Sequence, residues 1–492
     1  MAKKMKYTST RGDKKSKRLT ASQSVLKGIA DDGGLYVPRK IPQAYLTPGV
    51  LSGFNYNAHA LWLMGHYFKN DYTPAELVKC IDSAYNSKNF SSPSIVDVKE
   101  VGSAAFLELY HGKTLAFKDM ALSLLPHLMS AALKKTQKPK TQVILTATSG
   151  DTGVSALEGF KDVDGTKIIV FYPENGVSVI QKQHMITQTG GNVHVVGVRG
   201  NFDDAQSEVK RIFLDDRINK QLNSDGYEFS SANSINTGRL IPQIVYYFYA
   251  YSQLVRGGMA IDAPVNFIVP TGNFGNILAG YYAKKMGLPI NKLICASNEN
   301  KVLFDYFDTG VFDSNREFYL TTSPSMDILI PSNFERLVYD LVQPEDGLRE
   351  MLVKLSGKQK FSMPVPKDFV GYYATEQETR AAIKKVFDNH GYLIDTHTAV
   401  AYVAHEKYGE RAGEKNVIVS TASPYKFAKT VMSSIDEKYD AYDDFALLEK
   451  MAELTNSIVP APLAGLQGKE VLHPTVVDIS GMKDAVLDWY KT

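Results

Sequence analysis

Two cysteines in 492 residues, Cys80 and Cys295, with neither in a Cys-x-x-Cys pair or a Cys/His cluster, leave no material for a disulfide framework and argue against a structural zinc site. Charge of one sign is missing too. Lys and Arg number 55 against 53 Asp and Glu, a formal net of +2, so no global field draws the chain to nucleic acid or to an anionic membrane. Long apolar runs are also absent. A charge-free stretch between Asp262 and Lys284 holds three asparagines, two prolines and three glycines and makes a poor membrane span. What remains is an ordinary globular composition, 44% hydrophobic and 22% charged, which excludes disorder and points to a small-molecule partner.

The start of the chain is basic, with Lys3, Lys4, Lys6, Arg11, Lys14, Lys15, Lys17 and Arg18 against Asp13 alone. No apolar segment of a secretory signal follows, and residues 24–29 read as folded helix, so a cytoplasmic location is expected and the leader reads as a solvated, mobile segment. The pattern divides the chain into three parts. Residues 1–90 form a helical N-terminal module, with Leu61, Leu63, Met64, Tyr67 and Phe68 at helical spacing. Residues 91–240 form a first α/β lobe, and residues 241–492 a second α/β lobe with a C-terminal tail. The basis is a set of short β-branched runs that are apolar throughout: Gln142–Leu145, Lys167–Phe171, Val193–Val196, then Val265–Val269, Leu293–Ala296 and Val417–Ser420. Continuous apolar character marks strands covered on both faces, and the gaps hold helix-length segments such as Val177–Gln188, so parallel sheets are predicted. Ligands of such sheets bind where strands end, which directs attention to the loops after Leu145, Val269 and Val419.

Three loops stand out. Lys118, flanked by Phe117 and leading into a helix that Asp119 could cap, is either a solvated lysine or an amine activated by partial burial. Residues 146–153, Thr-Ala-Thr-Ser-Gly-Asp-Thr-Gly, crowd hydroxyls at a strand end, as a helix cap or as a cradle for a carboxylate or phosphate. Residues 270–280 place Gly272 and Gly275 where a helix begins, the geometry for a phosphate monoester, with a plain strand-to-helix turn as the alternative. This loop has no Gly-Lys-Ser/Thr and its Gly-x-x-Gly is too short for a dinucleotide fingerprint, which turns the reading away from nucleotide hydrolysis and hydride transfer.

In this order, together with His111-Gly112-Lys113-Thr114-Leu115-Ala116-Phe117-Lys118-Asp119, the segments resemble the threonine synthase family, of the tryptophan-synthase-β-like class (fold type II) of pyridoxal phosphate enzymes. Residues 9–12, 32–38, 233–240, 395–400 and 420–427 (Ser-Thr-Ala-Ser-Pro-Tyr-Lys-Phe) are similar to further family stretches, while Lys113 departs from the family's usual proline. The resemblance implies that Lys118 is the Schiff-base lysine and that Gly272, Asn273, Phe274, Gly275 and Asn276 cradle the phosphate of pyridoxal 5'-phosphate. It further implies that Thr421 meets the ring nitrogen and that Asp151 stands where much of the class has an asparagine facing the ring hydroxyl. Thr148, Ser149 and Thr152 would take the substrate α-carboxylate, and Asn236, Arg239 and Lys182 its phosphate. Arg239 has the alternative of pairing with a surface acid, and His397 orders the site or is a core histidine. The implied reaction converts O-phospho-L-homoserine and water into L-threonine and phosphate by γ-elimination and β-addition, the last step of threonine biosynthesis, in a monomer or homodimer. A serine/threonine dehydratase, a phospholyase-like homologue and, more distantly, a nucleotide-binding regulator are the alternatives.

Overall fold

Each apolar run becomes a strand buried along its length, because both faces of a parallel sheet are covered by the helices that connect it. The computed structural model describes residues 4–13, 16–44, 48–137, 139–342, 347–357 and 359–491; Lys3, Lys14 and Lys15 of the basic leader lie outside them. In the N-terminal module, β1 (Tyr7–Ser9) and β2 (Tyr36–Pro38) pair antiparallel beside the helices Ala21–Lys27, Tyr56–Tyr67 and Pro74–Ala84. The chain then forms β3 (Asp97–Val101), β4 (Ala104–Glu108), β5 (Thr141–Ala147), β6 (Thr166–Pro173), β7 (Val193–Arg199) and β8 (Tyr227–Ser230). It continues through β9 (Val265–Pro270), β10 (Ile290–Ser297), β11 (Val311–Phe312), β12 (Phe361–Ser362), β13 (Phe369–Tyr373), β14 (Lys415–Ser420) and β15 (Val476–Asp478).

Two sheets carry the molecule. One has five parallel strands in the order β15-β7-β6-β5-β8. The other has six, β13-β10-β9-β14-β4-β3, parallel except for the β3/β4 hairpin at its edge. Sheet membership departs from the division at residue 240. β3 and β4 precede the five-stranded sheet in the chain yet belong to the other one, since the Ala104–Glu108 run is buried throughout and pairs with β14. β15, near the C-terminus, returns to cover the edge of β7. The chain therefore crosses from one sheet to the other between β4 and β5, in the segment that carries Lys118. That crossing brings the ends of β4, β5, β9 and β14 to bear on one region.

The N-terminal module is fixed there by a buried arginine. Arg336, in the helix Phe334–Leu341, is fully enclosed and hydrogen-bonds to no carboxylate among the described residues. Its guanidinium donates to the Tyr36 carbonyl from Nε (3.1 Å) and Nη2 (3.0 Å), to the Ile235 carbonyl (2.6 Å), to the Ser234 carbonyl (3.4 Å) and to Asn333 Oδ1. One residue away, Glu335 takes a two-pronged bond from Arg11 at 3.1 and 2.6 Å, and one from Thr10. Module, first-lobe loop and second-lobe helix are thus joined by a single side chain. Arg336→Met leaves several buried carbonyls unpaired, each costing about 1–3 kcal/mol, so urea denaturation should register a loss of about 3 kcal/mol or more. A loss under about 1 kcal/mol would show that water replaces these bonds at little cost.

Candidate active site

Lys118 is presented by a loop that leaves β4 and is clipped onto the end of β14. Leu109 N–H donates to the Ser420 carbonyl (3.0 Å), Phe117 N–H to the Thr421 carbonyl (2.8 Å) and Ser423 N–H to the Leu115 carbonyl (3.0 Å). Asp119 is not the cap expected for the following helix. It is the first residue of Asp119–Leu122, and its carboxylate turns back to accept from Thr114 N–H (2.8 Å) and Thr114 Oγ1 (2.6 Å), closing the loop. Gly112 makes this possible, for a Cβ there would collide with the Asp119 carboxylate. Lys113 reaches outward to Glu158 at 2.9 Å. His111 binds Glu108 (2.9 Å), whose other oxygen accepts from Tyr392 (2.6 Å), so this end of the motif is anchored to the sheet.

Lys118 is enclosed, only 8% exposed, which rules out a solvated side chain. Its Nζ donates to Asp151 Oδ2 and Ser325 Oγ, both at 3.1 Å. Asp151 opens the helix Asp151–Phe160 at the end of β5, and its other oxygen accepts from Lys426 Nζ (2.6 Å) and Gln181 Nε2 (2.8 Å). Burial lowers the Lys118 pKa, the positive charges of Lys426 and Arg239 act in the same direction, and Asp151 opposes them. Burial alone would raise Asp151, but the charges of Lys118 and Lys426 hold it well below the ordinary carboxylate range. Ser325 is held by its own N–H, which donates to His397 Nε2 (3.2 Å). That bond leaves Nε2 without a proton, so Nδ1–H donates to Asp395 Oδ2 (2.7 Å), and His397 is a neutral positioning group. Asp395 is fixed in turn as the N-cap of Thr396–Tyr408.

After β9 the chain passes Gly272, where a Cβ would collide with the Ser325 carbonyl, and enters the helix Gly275–Lys285. Gly275 is under no such constraint, since a Cβ there meets Asn333 Nδ2 at an ordinary 3.4 Å. Phe274 adopts a left-handed backbone with φ of 63°, and its buried ring packs on Phe334 and Phe369 at centroid distances of 5.4 and 5.9 Å. Only its backbone is free for a ligand. Asn273 is tied to Asn333, whose N–H donates to its carbonyl (3.0 Å), and to Ser332 (3.2 Å). Asn276 Oδ1 accepts from Tyr246 (2.8 Å) and Tyr247 (2.7 Å), yet its Nδ2 is buried with no partner. An orphaned donor in the first turn of a helix whose leading amides lack intrahelical acceptors is a set of donors for an anion. With a buried amine across the site, these residues fit pyridoxal phosphate.

The hydroxyl turn and the distal cation are divided in role. Thr148 Oγ1 accepts from Gly150 N–H (3.0 Å) and Gly153 N–H (2.8 Å), shaping the turn and keeping its own proton to donate. Ser149 and Thr152 are half-buried with no side-chain hydrogen bond among the described residues. Asn236 departs from the expected phosphate contact: its amide donates to the Val25 and Ser231 carbonyls, each at 2.9 Å, and its oxygen caps Thr237–Leu240, so no donor is left. Arg239 pairs with no acid among the described residues. Its Nη1 donates to the Ala232 carbonyl (2.9 Å), Nε is buried and unpaired, and burial brings its pKa down to about 10. Lys182 is half-buried in the helix Val179–Ile186, without a partner among the described residues. Thr421 is buried and bound to the Lys118 loop through its carbonyl. Lys426, Ser325 and Gln181 were not legible as site residues. Lys426 lies inside the recognised stretch 420–427, whereas Ser325 and Gln181 carry no local signature.

All six strands of the six-stranded sheet, and β5 to β8 of the five-stranded sheet, fall within the span matched by the family described as "Pyridoxal-phosphate dependent enzyme", residues 96–423, with β15 beyond it. "Threonine synthase N terminus" matches residues 6–85 and "Threonine synthase, C-terminal" residues 398–470. The chain is 35% identical to the threonine synthase of Schizosaccharomyces pombe, covering 96% of this chain and 95% of that protein. It is 39% identical to threonine synthase-like 1 of Pongo abelii over 87% of its length, but spans only 59% of that relative. Among solved structures, pyridoxal-phosphate-bound threonine synthase from Brucella melitensis superposes with a TM-score of 0.84 at 34% identity, covering 98% of each chain.

The two glycines should separate on substitution. Overpacking at Gly272 costs about 1–3 kcal/mol, and if that falls on the cofactor-bound state, Gly272→Ala weakens pyridoxal phosphate retention roughly five- to 160-fold. Gly275→Ala, which has room, should leave the fold unchanged. Cofactor titration followed by absorbance is the check; equal retention in Gly272→Ala and wild type would detach the Ser325 loop from the cofactor site.

Proposed function

The chain belongs to the threonine synthase family of pyridoxal-phosphate-dependent enzymes, and from that premise we propose that it converts O-phospho-L-homoserine and water into L-threonine and inorganic phosphate. When bound, the cofactor supplies an electron sink for the substrate's carbon skeleton. The protein supplies the rest. Gly272 to Asn276 hold the cofactor phosphate through backbone amides and Asn276 Nδ2, and Thr421 offers a neutral hydroxyl to the ring nitrogen. Lys118 Nζ, its pKa lowered by burial and by the charges of Lys426 and Arg239 against the opposing pull of Asp151, takes and returns protons at the substrate's Cα, Cβ and Cγ. Asp151 and Ser325 keep that amine within reach. The open hydroxyls of Ser149 and Thr152, with Thr148, bind the α-carboxylate.

The observation that carries the reading is Arg239, a buried guanidinium with an unpaired Nε and no carboxylate partner. A substrate with one anion at each end requires a second cationic group beyond the carboxylate turn. A serine/threonine dehydratase requires none. Incubation with O-phosphohomoserine, with the amino-acid product and released phosphate both identified, tests the proposal: threonine and phosphate in equal amounts support it, and 2-oxobutanoate with ammonia would replace it by an elimination activity.

Arg239→Leu tests the phosphate contact itself. Charge-assisted hydrogen bonds contribute about 1.5–3 kcal/mol each, so losing one or two lowers kcat/KM for O-phosphohomoserine roughly ten- to ten-thousand-fold. Cofactor absorbance should persist, and side elimination from serine or threonine should fall far less. Equal losses on both substrates would mean general damage, and no loss on phosphohomoserine would move the phosphate to Lys182.

A further inference from the structure

The buried centre holds more positive charge than it can match. Lys118 and Lys426 share one carboxylate, Asp151, and all three are at most 8% exposed. Two ammonium groups on one buried anion leave a net charge out of water, a state that burial disfavours strongly. One amine is therefore under pressure to give up its proton, and the hydrogen bonds decide which. Lys426 Nζ sits 2.6 Å from Asp151 Oδ1 and 2.8 Å from the Thr114 carbonyl, an oxygen that can only accept, so it must donate to both. Lys118 Nζ sits 3.1 Å from Asp151 Oδ2 and 3.1 Å from the Ser325 hydroxyl. A hydroxyl can donate to a neutral amine. Ser325 Oγ also lies 3.3 Å from Asp151 Oδ2, so it can turn its proton either way.

We propose that Lys426 is a positioning residue for the reactive amine: its buried ammonium, which donates to Asp151 Oδ1 and to the Thr114 carbonyl, holds Asp151 as a fixed carboxylate, so that Lys118 can be free of its proton without stranding a buried anion. The inference rests on Lys118 being the reactive amine of the proposed function. It gives Asp151 two duties on its two oxygens. Oδ1 is held by Lys426 and Gln181 throughout, while Oδ2 is available to receive Lys118 whenever that amine is protonated. The other groups facing the cluster do not supply a substitute cation in contact with Asp151. His397 is neutral. His184, on the helix Val179–Ile186, is lowered to about 4 by burial and then by the charge of Lys426. Arg239 is positive but bonds to the Ala232 carbonyl, and Asp119 is engaged with Thr114.

The test reads the titration of Lys118 in full-length, cofactor-free protein by competitive acetylation at a series of pH values, with the Lys118 peptide quantified by mass spectrometry. Circular dichroism and thermal melting establish that each variant is folded. In Lys426→Met the carboxylate is left to Lys118 alone, and the labelling midpoint should rise by about 1–3 pH units. Lys426→Arg restores a cation and should bring the midpoint back toward wild type. Asp151→Asn should move it the opposite way, downward, because two cations then face each other with no anion. A folded Lys426→Met protein whose midpoint is unchanged or lower overturns the proposal. If that variant fails to fold, an unchanged or higher midpoint in Asp151→Asn overturns it instead. Labelling of Lys118 does not depend on which substrate the enzyme accepts, so this proposal and the proposed function can fail separately.

Discussion

A carboxylate buried between two lysines organises the centre of this protein. An isolated ion removed from water costs several kcal/mol, and Asp151 is tolerated because Lys118, Lys426 and Gln181 all bind its two oxygens. Those four side chains come from chain positions 118, 151, 181 and 426. They can meet only if β4 and β14 pair in one sheet while β5 ends beside them in the other. The crossing of the chain between sheets is thus a condition of the chemistry. The loop carrying Lys118 is stitched to β14 by three backbone hydrogen bonds, so the amine's position is set by the same strand that precedes Thr421 and Lys426.

Two buried arginines illustrate how structure and function are separated here. Burial brings both Arg239 and Arg336 down to about 10. Arg336 has its donors satisfied by carbonyls and Asn333 and serves as a joint between module and lobes. Arg239 keeps one bond, to Ala232, and a buried Nε with nothing to bind. An unsatisfied buried donor costs free energy that a bound ligand can recover. The same logic applies to Asn276, whose oxygen is doubly occupied by tyrosines while its Nδ2 waits at the helix start.

Much of this was readable in the sequence, for a definable reason. Strands covered on both faces announce themselves as unbroken apolar runs, and β5, β6, β7, β9, β10 and β14 all lie where such runs occur. The Gly272 loop was marked by its glycines and its place at a strand end, whereas Lys118 was marked by the family motif around it, residues 111–119. Lobe boundaries were not readable, because sheet partners in a parallel fold are chosen across long crossovers that leave no local trace. Asn236 was misjudged since a helix cap and a ligand draw on the same residue type, and only the Val25 and Ser231 carbonyls reveal which is present. Phe274 follows the loop motif but spends its ring on the core. Ser325 and Gln181 reach the site from segments with no distinguishing composition.

The central claim is that Lys118, rather than the more deeply buried Lys426 beside it, bears the cofactor. Borohydride reduction of the holoprotein followed by peptide mapping reads this directly. The expected result is a pyridoxyl-phosphate mass increment on the peptide containing Lys118, with the Lys426 peptide unmodified. An increment on Lys426, or none on either lysine in protein that retains stoichiometric cofactor, would contradict the assignment of both amines.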